Sequence, residues 1–127
     1  MEIKIYYQDT DCGGVVYYAN YLVYFERART EYLLKKGVDI RRLADEGIFF
    51  LVRRAEIEYK SPARYGETLV VKTEPREISR ASIDLKYTVT EKSKKYLIVA
   101  GSTLLACVGR DMKPRRLPDG ILKLKAD

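Results

Sequence analysis

The chain has 127 residues, 46% of them apolar and 33% charged, which suits one globular domain and argues against disorder. It contains no histidine, and that excludes Ser-His-Asp and Cys-His catalysis, histidine-ligated zinc and a histidine base together. The net charge is +6, and half of it falls in residues 110–127; such a balance suits a polyanionic ligand, nucleic acid and phosphorylated cofactors both qualifying.

In chain order, Ile3, Ile5 and Tyr7 alternate with polar neighbours and predict a first strand. Residues 9–17 (DTDCGGVVY) predict a loop around Gly13-Gly14. A helix is predicted from about Asn20, read as its N-cap, to Lys36, with Leu22, Phe25, Ala28, Tyr32 and Leu33 at helical spacing and Gly37 as its stop. Its first half holds few polar residues, so a sheet is expected to wrap it. A short helix is predicted over 39–46, followed by strands over 48–60, 68–78, 80–90 and 96–108. Pro75 marks an edge or a bulge in the second of these. Over 80–90, Ala81, Ile83, Leu85, Tyr87 and Val89 share one face. Residues 110–127 read as an irregular tail. One helix followed by a run of antiparallel strands indicates an α+β layer fold.

The two cysteines, Cys12 and Cys107, form no CxxC pair and point to a reduced intracellular protein. The start Met1-Glu2-Ile3-Lys4 does not resemble a signal peptide. The longest apolar run, 96–108, falls short of the ~20 residues a bilayer helix needs. No GxGxxG or Walker pattern occurs, which leaves dinucleotide binding and nucleotide hydrolysis without support.

The segment Tyr7–Arg29, YQDTDCGGVVYYANYLVYFERAR, puts two aspartates, a glycine pair and a helix start close together. Glycines let a ligand approach the main chain, and the first amides of a helix are unpaired donors with a partial positive field. A carboxylate beside such donors makes an acyl-transfer or anion site conceivable; the residues alone carry the reading no further.

The same segment resembles the signature of hotdog-fold acyl-CoA thioesterases, in particular the Tol-Pal cluster (YbgC-like) and hydroxybenzoyl-CoA thioesterases. The matching positions run from Asp9-Thr10-Asp11 through Gly14-Val15-Val16-Tyr17 and Ala19-Asn20-Tyr21 to Phe25-Glu26 and Ala28-Arg29, and the likeness extends over about residues 3–110. It implies a single hotdog domain over 1–127, with an antiparallel sheet wrapped around one long helix. It implies Asp11 as the catalytic carboxylate, acting as nucleophile on the thioester carbon or as general base for water. Backbone amides, expected around Phe49–Leu51, would polarise the carbonyl. Tyr18, Asn20, Phe50, Arg80 and Ser82 become candidate substrate contacts, with Arg53, Arg54, Arg64, Arg76 and Lys86 as further cations for the CoA phosphates. Tyr18 stands where many Tol-Pal members carry histidine and the hydroxybenzoyl type carries tyrosine. Asp9 is expected to support the loop or Arg29 through hydrogen bonds, and Cys107 to lie in the core.

The resemblance further implies an acyl-CoA substrate, with an acyl carrier protein as an alternative carrier, and no metal or redox cofactor. It implies a homodimer assembling into a homotetramer, with the site at the dimer interface, and a cytoplasmic setting without membrane insertion. The competing readings are a non-catalytic acyl-CoA or carrier-protein binding module of the same fold, and a basic nucleic-acid-binding protein. The latter lacks an aromatic-basic signature. A hotdog dehydratase would need the absent histidine.

Overall fold

The computed structural model describes residues 1–124. The elements are β1 (Glu2–Lys4), a 3-10 turn (Tyr7–Asp9), α1 (Asn20–Lys35), α2 (Ile40–Asp45), β2 (Phe49–Tyr59), β3 (Thr68–Ile78), β4 (Ser82–Glu91), β5 (Leu97–Val108) and α3 (Asp119–Leu122). The strands form one antiparallel sheet in the order β1-β3-β4-β5-β2. The α+β architecture read from the sequence holds.

The alternation over 80–90 places Ile83, Leu85, Tyr87 and Val89 in the core, each fully buried. Opposite them α1 buries Tyr21, Tyr24, Phe25, Ala28 and Leu33. Phe25 stacks on Tyr87 with ring centroids 4.2 Å apart and planes 5° apart, an arrangement that adds about 0.5–1.5 kcal/mol to area burial. Pro75 does mark a bulge, since the β3–β4 register shifts between Pro75 and Glu77.

Gly101 on β5 shows how closely helix and sheet approach. A Cβ there would lie 2.7 Å from two ring carbons of Phe25 and 2.8 Å from the Glu56 carbonyl oxygen. That oxygen belongs to the β2–β5 ladder and is not free to move. Gly101→Ala is therefore expected to cost about 1–3 kcal/mol through overpacking, read as a lower urea midpoint. An unchanged midpoint would contradict the tight packing of α1 on β5.

Four expectations need correction. Tyr7 does not continue the first strand: it is 79% exposed and lies in the 3-10 turn, because the Asp9 carboxylate accepts the Tyr6 amide at 2.9 Å and turns the chain. Leu22 is not a core residue of α1; Phe25, Ala28 and Leu33 are buried as expected and Tyr21 and Tyr24 join them, while Leu22 and Val23 stand exposed. The sheet accordingly covers one face of α1 within the chain and leaves the other open. Asn20 is not the N-cap, as shown below. Finally, the tail beyond 110 is not merely irregular. Leu117 and Ile121 are fully buried, the Leu117 amide donates to the Arg80 carbonyl at 2.8 Å, and Ile121 sits on the short helix α3. Residues 125–127, the end of that predicted tail, lie outside the described residues.

The two long edges of the sheet differ. At one end β1 pairs only three residues of β3 and Pro75 lies beyond it, which blunts that edge. At the other end lies β2, 11 residues long and ~33 Å from end to end, with Leu51 and Val52 exposed.

Candidate functional site

The loop carrying Asp11 is short and held from several sides. The Asp11 amide donates to the Val15 carbonyl at 2.9 Å, and the Gly14 amide donates to the Asp11 carbonyl at 3.1 Å. Gly14 adopts φ +78°, which a side chain would disfavour. The Val16 amide donates to the Ala63 carbonyl at 2.8 Å and ties the loop to the segment before β3. The Asp11 side chain is exposed, and its Oδ1 accepts the Gly13 amide at 2.8 Å in an Asx turn. Oδ2 has no protein partner among the described residues.

Asp9 fixes this loop to α1. Its Oδ1 accepts the Tyr24 hydroxyl at 2.9 Å, and its carbonyl accepts both the Asn20 Nδ2 at 3.1 Å and the Tyr17 amide at 2.9 Å. Asp9 thus supports the loop as expected, but through Tyr24 and Asn20 rather than Arg29. Burial, followed by the neighbouring Asp9, raises the Tyr24 phenol well above its usual range, so it stays a donor. Because the Asn20 side chain reaches back to Asp9, it does not cap the helix. Ala19 takes the N-cap position with no side-chain hydrogen bond. Among the described residues no main-chain acceptor takes the amides of Tyr18, Ala19 or Tyr21. The start of α1 thus offers open donors beside the Asp11 loop.

Aromatic rings surround that helix start. Tyr18 lies 4.9 Å from Tyr17 and 6.5 Å from Tyr59 between ring centroids, and the Tyr59 hydroxyl donates to the Tyr18 carbonyl at 3.0 Å. Tyr18, Tyr21, Tyr59 and Lys60 line a hollow of about 280 Å³. Burial pushes the Tyr21 phenol up to about 12. Tyr21 and Tyr59 fall on positions that carry the family resemblance but are not among the expected site residues; tyrosines inside a strand and a helix look in the sequence like packing residues.

The remaining candidates lie elsewhere. Phe50, at the opposite end of β2 from Tyr59, lines a larger cavity of about 600 Å³ between α1, α2 and the start of β2. Ser82 pairs with Ala106, which pairs in turn with Leu51, so Ser82 and Arg80 belong to the Phe50 end of the sheet. The structure therefore brings Asp11, Tyr18 and Asn20 together and gathers Phe50, Arg80 and Ser82 into a second group. Asp11 lines neither cavity. Cys12 is exposed beside Asp11, whereas Cys107 is buried, as expected, with its thiol pushed up by burial.

With the geometry in place, comparison with known proteins places the chain. The family model of the thioesterase superfamily matches residues 13–98, a span running from the Asp11 loop into β5. The acyl-CoA thioester hydrolase YbgC of Escherichia coli O6:H1 is 36% identical over 121 residues, covering 94% of this chain and 90% of that protein. The acyl-CoA thioesterase YbgC of Haemophilus influenzae is 38% identical over 119 residues, covering 91% and 85%. Among solved structures, a DHNA-CoA thioesterase from Staphylococcus aureus superposes with a TM-score of 0.89 at 36% identity, covering 92% of this chain and 78% of that one. The sheet curled against one long helix is thus the hotdog fold, and the chain belongs to the thioesterase superfamily.

Proposed function

We propose that the protein hydrolyses the thioester of acyl-CoA to a free carboxylate and CoA, with Asp11 as the catalytic carboxylate. One observation carries the reading. Asp11 is held by an Asx turn with one oxygen unengaged, in a loop that Asp9 ties to the open amides at the start of α1. The names of the relatives supply the substrate class.

In the reaction the amides at the helix start, rather than those expected around Phe49–Leu51 on a strand paired with β5, hold the thioester oxygen as negative charge develops on it. Asp11 either removes a proton from the attacking water or attacks the carbonyl carbon itself, giving an anhydride that water then opens. In both routes the C–S bond breaks, the sulfur leaves as thiolate and takes up a proton, and the acyl group departs as carboxylate. The chemistry needs no metal or redox cofactor. The chain's two cysteines form no disulfide, which fits a reduced cytoplasmic setting.

The separation of the two groups of site residues supports a homodimer. Antiparallel pairing of β2 with β2 of a second copy, centred near Arg54, sets Tyr59 of one chain opposite the partner's Phe49. The Asp11 loop and the tyrosine hollow then meet the partner's larger cavity, with Arg80 and Ser82 beside it for the CoA phosphates. The long open edge of β2 and the exposed Leu22, Val23, Leu51 and Val52 are surfaces such pairing covers. Two dimers would make the tetramer.

The test is a thiol-release assay over acyl-CoAs of short aliphatic, long aliphatic and aromatic type, with acyl carrier protein thioesters in parallel. At least one class should turn over at a rate proportional to enzyme. Tight binding of every class without thiol release would favour a non-catalytic acyl-CoA binding module.

A further inference from the structure

The larger cavity carries a charge pattern that a plain hydrocarbon guest would not use. Its apolar wall includes Leu33, Phe50 and Leu105, and its charged side chains are Glu26, Arg29 and Arg110, two guanidiniums against one carboxylate. Arg110 is committed elsewhere: its Nη2 donates to the Asp45 carbonyl at 2.9 Å, and its side chain packs across Gly47. Arg29 is different. It is partly buried, and none of the ion pairs among the described residues includes it, not even with Glu26 one turn earlier. Its neighbour is the buried Tyr87 hydroxyl, which shares a 2.6 Å hydrogen bond with Thr103 Oγ1. A single hydroxyl engages only part of a guanidinium's donor fork. A partly buried cation without a carboxylate is costly, and a ligand carboxylate relieves that cost with paired, charge-assisted hydrogen bonds.

We propose that this cavity selects acyl groups bearing a carboxylate at the end remote from the thioester, and that Arg29 is the residue that reads it. Half-thioesters of dicarboxylic acids are the substrate class. The proposal rests on the thioesterase reading above. The apolar wall receives the intervening carbons, and the net positive lining favours one anionic terminus. Arg29 acts on specificity, remote from the thioester carbon.

The experiment measures kcat/KM for acyl-CoA pairs of equal chain length, one ending in a carboxylate and the other in a methyl group. The wild-type enzyme should favour the carboxylate member by a ratio on the order of a hundredfold. In Arg29→Gln the ratio should fall close to one; being internal to each preparation, it does not depend on the fraction of folded enzyme. Arg29→Lys keeps the charge without the planar fork and should give an intermediate ratio, which carries the test if the glutamine variant does not fold. A wild-type ratio at or below one overturns the proposal and leaves the thioesterase reading standing. So does a ratio that Arg29→Gln leaves unchanged, because Arg29 would then serve only to brace Tyr87. Hydrolysis of neither member overturns the proposal, and the thioesterase reading falls with it only if the full thioester panel also releases no thiol.

Discussion

Asp11→Asn is expected to lower kcat by a factor on the order of 10²–10⁴ while leaving the melting temperature where it was. The asparagine carbonyl oxygen can accept the Gly13 amide just as Asp11 Oδ1 does at 2.8 Å, so the Asx turn survives. The side chain is exposed, and substitutions at such positions usually stay within about 0.5 kcal/mol. What is lost is the charge and the basic oxygen: an amide neither takes a proton from water at neutral pH nor forms an acyl anhydride. Asp11→Ala should be equally inactive and somewhat less stable, because it also removes the turn's acceptor. The pair separates geometry from chemistry. If the asparagine variant hydrolyses a full thioester panel as fast as wild type, Asp11 is a turn residue and the catalytic assignment is wrong. Circular dichroism melts and initial rates on one preparation decide between them.

Some of this was legible from sequence for clear physical reasons. Ile83, Leu85, Tyr87 and Val89 alternate because one face of β4 meets the helix, and a period of two survives in the residue pattern. The Asp11–Gly14 loop was legible because Asp, Thr and paired glycines are the residues such a turn requires. The misses share a cause: the partner of a side chain is not written beside it. Leu22 has helical spacing as good as that of Phe25, and only the position of the sheet shows that the buried stripe passes through Tyr21, Tyr24 and Phe25 instead. Asn20 has the composition of a cap, but the Asp9 carbonyl competes for its amide. Leu117 and Ile121 looked like tail residues until the Arg80 carbonyl accepted the Leu117 amide and the hydrophobic core took both side chains. The larger cavity draws on α1, α2, β2, β5 and the segment after β5, and no local pattern reports such a convergence. Nor does any local pattern show that the tyrosine hollow at Tyr59 and the larger cavity at Phe50 lie at opposite ends of β2.

That separation leads to the second large effect, which tests whether each site is built from two chains. Asp11→Asn leaves the larger cavity intact. Ala44→Trp fills that cavity from α2 and leaves Asp11 intact. Each variant alone should be nearly inactive. When the two are unfolded together and refolded, or co-expressed, half the dimers are mixed. If the Asp11 of one chain serves the cavity of the other, each mixed dimer holds one site with both parts sound and one with neither. Activity should then return to roughly a quarter of the wild-type level, as expected for isologous pairing with random exchange of subunits. If Asp11 instead served the cavity of its own chain, no mixture could restore a complete site, and activity would stay at the level of the two parents. Tagged chains purified in tandem isolate the mixed species and raise the expected recovery to about half. The geometry favours recovery: Tyr59, hydrogen-bonded to the Tyr18 carbonyl, and Phe50, in the cavity wall, are nine residues apart on a strand too stiff to fold back. Antiparallel pairing of β2 across a two-fold axis is the motion-free way to bring those two ends together.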